Sequence, residues 1–212
     1  MSVNIINCVK FLGIHLDSDL NWRDELKSLE NSISSACYAL RSLRDEVTIK
    51  QLTSVYYALV ESRLRYSIKF WGQSYKYNIN KAFVAQKRAI RIMVRIPWYQ
   101  SCREHFVRLK ILTVPCLYTL VLLTGVVKHL NRYETEEERI SRMNTRRKDL
   151  DNLIAPKLKV VHHCVRYQAM KLYNCLPIEL KSIHNVNNFK CRLRDLLITK
   201  CYYDVNDFIC NL

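Results

Sequence analysis

Residues 21–44 read NWRDELKSLENSISSACYALRSLR. Trp22, Leu26, Leu29, Ile33, Ala36, Leu40 and Leu43 recur with spacing 4-3-4-3-4-3. That spacing puts every one of them on a single narrow stripe of an α-helix. Asn21 suits the N-cap, and Asp24 and Glu25 suit the positive end of the helix dipole. A stripe of this kind is stable only against partner helices, so the flanking sequence must supply them.

It does on the C-terminal side. Thr48-Ile49-Lys50-Gln51 has the form of a capping box. Leu52, Val55, Tyr56, Leu59 and Val60 form the inner face of the helix it opens, which runs on or restarts through Leu64, Ile68 and Trp71 to Gly72. The short joint at 45–47 makes the first two helices antiparallel neighbours. A third helix is expected over 79–96, stopped by Pro97, with Phe83, Gln86, Ile90 and Met93 inward. Ser101 and Glu104 suggest a further capping box. A charge-free stretch at 111–127 reads as a buried core helix, because it is too short and too rich in Thr, Pro and Gly to span a membrane. Residues 139–160 lack periodicity and read as a basic loop. Helices are expected again over 163–176 and 188–199.

On the N-terminal side, residues 8–16 (CVKFLGIHL) read as one extended segment with Gly13 at a bulge or close approach. Gly (3) and Pro (4) are scarce in the 212 residues, which favours helices over tightly turned sheets. The expected fold is mainly α: a helical bundle with a short N-terminal strand and a smaller helical C-terminal region. The expected division is a junction strand in 1–20, the bundle in 21–99 and a mainly helical region in 100–212.

Charge points to a partner. The chain carries 34 basic and 19 acidic residues, a net +15. Residues 81–110 contribute +7 and residues 139–171 another +7, so two short segments hold nearly all the excess. Concentrated cations of this kind suit a phosphate backbone. Lys87, Arg91 and Arg95 follow one another at intervals of four, flanked by Lys81 and Arg88. Such a row repels itself unless acidic neighbours or phosphates offset it. Arg146, Arg147 and Lys148 form a second candidate patch. Tyr56, Tyr57, Tyr66, Trp71, Tyr75 and Tyr77 precede the basic helix, and Trp98 and Tyr99 follow it. Aromatics interleaved with cations suit base stacking, although Trp22 and Trp71 read better as core anchors.

Catalytic and metal chemistry find little support. The nine cysteines are odd in number and irregularly spaced, and read as reduced thiols of an intracellular protein, many of them buried. Nothing in the sequence separates cytoplasm from nucleus. His162, His163 and Cys164 are adjacent and diverge on a helix, so no metal site and no cofactor is expected. Asp17 and Asp19 follow the extended segment and read as turn and capping residues rather than metal-holding carboxylates.

The order of motifs resembles one family. VKFLGIHLDSDLNWRDEL (9–26) resembles the palm-to-thumb junction of reverse transcriptases from non-LTR retrotransposons, the jockey-like insect elements in particular. LRYSIKFWG (64–72) resembles their Y-x-I-x-x-W-G segment, and QKRAIRIMV (86–94) their Q-N-R-A-L-R-I-I. SCREHFVRLKILTVPCLY (101–118) is similar to S-x-R-E-L-F-x-x-L-x-I-L-x-L-P-x-L-Y. NTRRKDL (144–150), MKLYNCLPIELK (170–181) and NFKCRLRDLL (188–197) resemble the family's C-terminal region. The resemblance covers roughly residues 9–208. It implies a thumb and downstream region that grips template–primer, binding RNA or an RNA–DNA hybrid without sequence preference. It also implies a partner, a polymerase palm upstream.

The family's paired palm aspartates do not occur in this sequence. The expectation is therefore a non-catalytic piece: a truncated element copy, a fragment of a longer gene, or a small protein retained from one. No membrane association is expected. The competing expectation is a helical protein-interaction module, pairing through the 22–43 stripe or a sticky strand edge, or an element relic without function.

Overall fold

The structure, a computed structural model, describes residues 7–74, 76–129, 164–183 and 185–210. The fold is mainly α with one short antiparallel hairpin. Backbone contacts divide the chain into two compact units, Met1–Val114 and Pro115–Leu212.

The first unit opens on the hairpin, β1 (Cys8–Phe11) and β2 (Ile14–Asp17), with Val9 opposite Leu16 and Lys10 opposite His15. The sequence reading of 8–16 as one strand is thus corrected. Leu12 and Gly13 both have positive φ, 48° and 82°, and form a two-residue turn of the kind whose twist matches paired strands. Gly13 is a turn residue, not a bulge. The Tyr66 hydroxyl donates to the Leu12 carbonyl and pins the turn to the helices.

α1 spans Arg23–Leu43. Its stripe from Trp22 to Leu40 is buried, and Leu43 at the end is exposed. The cap differs from expectation: Trp22, not Asn21, precedes the helix, in a left-handed conformation with φ 62°. The Asn21 amide instead donates to Asp17 Oδ1 at 2.7 Å, so Asp17 serves as a turn residue. A left-handed tryptophan costs about 1 kcal/mol or more. Burial of the indole and its stacking on Phe70, 6.1 Å between centroids, offset that cost.

Glu25 joins the hairpin to the helices. Buried in the first turn of α1, it accepts the His15 backbone N–H at 2.9 Å, lies 3.3 Å from His15 Nδ1, and accepts Ser67 Oγ at 3.4 Å. A carboxylate leaves water only where hydrogen bonds replace it. Its neighbour Asp24, in the same first turn, stays exposed.

α2 (Ile49–Tyr56) begins at the predicted capping box: Thr48 accepts from Gln51 N, and the Gln51 side chain accepts from Thr48 N. It continues through a π-helical turn, Tyr57–Glu61, into α3 (Ser62–Arg65). The wide turn has a cause in the sequence. Leu52, Tyr56, Val60, Leu64 and Ile68 are buried at strict intervals of four. In a regular helix that spacing drifts by about 40° per step. One turn with an i→i+5 bond, Ser62 N to Tyr57 O, takes back part of the drift. Ser67, left-handed at φ 54°, then breaks the rod before α4 (Ile68–Trp71). Trp71 is fully buried, and its indole N–H donates to Tyr66 O at 3.1 Å.

α5 (Lys76–Val94) lies parallel to α1 and packs along it. Ser74 Oγ and Asn78 Nδ2 hold the Asn21 carbonyl at one end, and Arg95 pairs with Asp45 at the other. α6 (Arg103–Arg108) follows, entered from Cys102. The expected capping box at Ser101 is replaced by a shorter link, Arg103 N to Ser101 Oγ at 3.3 Å. Both helices end alike. Arg95 and Lys110 are left-handed, and the next amide reaches back five residues, Ile96 to Arg91 O and Ile111 to Phe106 O. Glycine usually takes that position. Here a basic residue does, which also suits the negative end of the helix dipole.

Gln86 is the polar centre of this unit. It is fully buried, its Nε2 donates to Tyr56 Oη and Leu112 O at 2.8 Å each, and its Oε1 accepts Val114 N at 2.9 Å. One side chain thereby ties α2, α5 and residues 112–114.

In the second unit, α7 (Val114–Lys128) is the expected core helix, buried on nearly every side. α8 (Val165–Asn174), α9 (Ile178–Lys181), α10 (Val186–Lys200) and α11 (Val205–Cys210) follow the residues outside the description. α9 and α11 were not anticipated. α10 starts earlier than expected because Asn185 caps it, accepting from Asn187 N and Asn188 N. Cys116 Sγ donates to Leu197 O and Tyr202 O, at 3.6 and 3.5 Å. Of the nine cysteines, all free, Cys37, Cys102, Cys116 and Cys201 are buried.

Candidate nucleic-acid interface

α5 carries the site. Its buried residues, Asn78, Ala82, Phe83, Ala85, Gln86, Ala89, Ile90, Ile92 and Met93, occupy one side. At about 100° per residue, Lys81, Lys87, Arg88 and Arg91 fall within roughly 120° of the opposite side. Lys81 and Arg88 are exposed, and Lys87 and Arg91 half-buried.

Each predicted cation has its own surroundings. Lys81 Nζ lies 4.8 Å from the ring centre of Tyr77, which is itself exposed. Lys87 Nζ lies 4.7 Å from that of Phe83. Burial, then the neighbouring Arg91 charge, pushes the Lys87 ammonium below the ordinary lysine range. Arg91 Nη2 donates to Gln100 O at 3.2 Å. Arg95 stands beyond the helix end, so it leaves the i, i+4 row: its guanidinium pairs with Asp45 and donates to Arg44 O at 3.3 Å. Both partners of that pair are more than half exposed, so the pair is weak and the charge stays open to solvent. Arg146, Arg147 and Lys148, with the basic loop at 139–160, lie outside the described residues.

The neighbouring helix adds cations that sequence reading passed over. Arg23 and Lys27 of α1 line a groove of about 790 Å³ with Tyr77, Asn78 and Lys81 of α5. Asp24 and Glu30 line it too, so its charge is mixed. Further along, Arg41 of α1 and Arg88 of α5 both lie close enough to oppose the upward shift that burial imposes on the Cys37 thiol. The signal in the sequence was faint, because residues 1–80 carry a net charge of only +2.

Among the described residues, no three His, Cys, Asp or Glu side chains gather as a metal site. Nor is any helix there long and apolar enough to cross a membrane.

Over 98 residues the chain is 28% identical to the RNA-directed DNA polymerase from mobile element jockey of Drosophila funebris. Over 93 residues it is 32% identical to the probable RNA-directed DNA polymerase from transposon BS of Drosophila melanogaster. Under half of the chain is thus similar to the polymerases of jockey-like, non-LTR retrotransposons. The matched stretches are 45% and 42% of this chain, and 11% and 10% of those proteins. No family model and no solved structure matches it.

Each described motif of this retrotransposon resemblance contributes packing residues. Trp22, Leu64, Ile68, Trp71, Gln86, Ala89, Ile90, Phe106, Ile111 and Leu112 are all buried. Lys87, Arg88 and Arg91 are the members of the 86–94 motif that reach solvent with charge.

Proposed function

We propose that this chain is a non-catalytic, nucleic-acid-binding part of a retrotransposon RNA-directed DNA polymerase. The outward side of α5 binds the sugar–phosphate backbone of RNA or an RNA–DNA hybrid, without sequence preference. Lys81, Lys87, Arg88 and Arg91 contact phosphates, Arg95 extends the surface past the helix end, and Arg146, Arg147 and Lys148 form a second patch. The observation that carries this reading is the placement of four cations on the single solvent side of a helix whose other side is core. In the whole polymerase the partner would be a palm domain as well as nucleic acid.

The test is binding to an RNA–DNA hybrid across salt. The four α5 contacts alone, on duplex, give a slope of log affinity against log salt of about −3.6, or roughly a hundredfold loss between 50 and 200 mM, and further contacts steepen it. Replacing Lys87 and Arg91 by Gln flattens the slope by about 2. A flat affinity in the unmodified chain refutes the proposal.

A second reading, a protein-interaction module, is favoured by one observation. Val9, Phe11, Leu12, Leu20, Tyr66 and Phe70 are exposed around the hairpin. The alternative seam, Trp22 to Leu40, is used up inside the first unit. Under this reading the chain self-associates in sedimentation and Phe11→Ser reduces it.

A further inference from the structure

The eight residues between α5 and α6 display two aromatic rings that the backbone reading leaves unexplained. Trp98 is 82% exposed and Tyr99 75%. Trp22 and Trp71, by contrast, are 8% and 0% exposed. Large apolar rings set side by side in water forgo burial that a core would give them.

The turn that carries them is braced. Gln100 N donates to Pro97 O at 3.2 Å, and Pro97 has a fixed φ. Arg91 Nη2 holds Gln100 O at 3.2 Å. Cys102 Sγ reaches Lys87 O at 3.8 Å. The two rings stand perpendicular, 86° apart with centroids at 5.9 Å. A perpendicular pair covers at most one face of one ring, so open π-faces remain. Two of the side chains or carbonyls bracing the turn, those of Arg91 and Lys87, belong to cationic residues of the α5 surface.

We propose that this turn is a stacking platform for unpaired nucleobases. This rests on reading the α5 cations as phosphate contacts, and deepens it: besides continuous duplex, the surface takes nucleic acid with at least one unstacked base, a single strand or a frayed duplex end. Trp98 takes a base on its open face while Arg91 and Lys87 meet the adjoining phosphates. Aromatic stacking is tolerant of base identity, which agrees with binding lacking sequence preference. Charge favours this occupant over an apolar protein surface, since residues 81–110 carry a net +7.

The burial of Trp22 and Trp71 makes the test direct, because the solvent-exposed, long-wavelength part of the tryptophan emission belongs to Trp98. The full chain is titrated with single-stranded oligouridylate and, separately, with a blunt RNA–DNA hybrid at the same salt. Oligouridylate should quench the long-wavelength emission. Trp98→Leu should lower its affinity by about tenfold, keep the salt slope, and leave hybrid affinity nearly unchanged; Trp98→Phe should restore most of the loss. Lys87→Gln with Arg91→Gln should flatten the salt slope but still permit quenching at saturation.

Undiminished oligouridylate affinity in Trp98→Leu, or emission unaltered at saturation, overturns the platform while the backbone reading stands. Absence of binding to either nucleic acid overturns both. Self-association that Trp98→Leu abolishes assigns the rings to a protein contact and overturns the platform as well.

Discussion

α5 and α7 are built on opposite plans. α5 buries one side and sets Lys81, Lys87, Arg88 and Arg91 on the other. In α7 every residue from Val114 to Leu120 is buried, as are Leu122, Leu123, Val126 and Val127. Its threonines turn back on their own helix: Thr119 Oγ1 donates to Pro115 O at 3.0 Å and Thr124 Oγ1 to Leu120 O at 2.6 Å. Burial also pushes the Tyr118 phenol above its ordinary range. One helix gives a whole side to solvent, and the other shows it only Lys128 and the half-buried Val121, Thr124 and Gly125. The difference teaches where function can reside: a helix with most of its surface buried chiefly supports the fold, whereas a helix with one free side has positions to spare for a ligand.

The sharpest way to break that contrast is to exchange the charge. Leu123→Asp in α7 should destabilise by about 4 kcal/mol or more in urea unfolding, since a carboxylate would be buried without a partner. Arg88→Glu in α5 should change stability by no more than about 0.5 kcal/mol and yet weaken hybrid binding. Equal destabilisation by the two would end the contrast.

Next comes the side of α5 that does resemble α7. Gln86→Leu removes the partners of Tyr56 Oη, Leu112 O and Val114 N together. A loss of about 3 kcal/mol or more is expected, from groups left buried and unpaired. Thermal unfolding measures it.

Smaller still is the helix end. Arg95→Ala loses an exposed ion pair, worth at most about 1 kcal/mol, and keeps the left-handed strain. Arg95→Gly loses the same pair but relieves the strain. Glycine should therefore be the more stable variant by about 1 kcal/mol. The reverse order would argue that Arg95 is not held left-handed.

The smallest effect is alkaline. The Lys87 ammonium is pushed down in the folded state by burial first and Arg91 second. The charged form is thus disfavoured by folding, and stability rises with pH between the folded and the unfolded values. Phosphate affinity moves the other way, falling as Lys87 loses its proton before ordinary lysines do. A pH titration of hybrid binding should show the onset shift acidward relative to the Lys87→Arg variant.

Much of the helical framework was legible in periodicity. The 4-3-4-3 stripe of α1 and the capping box at Thr48 are local patterns, and local physics made them. The hairpin was read as one strand because Leu12 is a poor residue for a positive-φ turn; Tyr66, distant in sequence, holds it there. The cap of α1 shifted from Asn21 to Trp22 because Phe70 and the core offered the indole more than a cap bond returns. The π turn lay hidden in a spacing of four that looked like an ordinary helix face.

The candidate site divides in the same way. Lys81, Lys87, Arg88, Arg91 and Arg95 stand out in sequence because they crowd one segment. Whether they share one side depends on where the helix ends, and Arg95 falls beyond it. Arg23, Lys27 and Arg41 could not be recognised, because their segment is almost neutral and they join the surface when α1 lies parallel to α5.

The sequence by itself determined the helical class, the amphipathic side of each long helix and the concentration of charge, since each follows from interactions within a few turns of chain. Tertiary structure alone decided which cations stand together, what Gln86 and Glu25 hold, and that Trp98 is the indole left in water. Those depend on packing between residues far apart in the chain, and no local pattern encodes it.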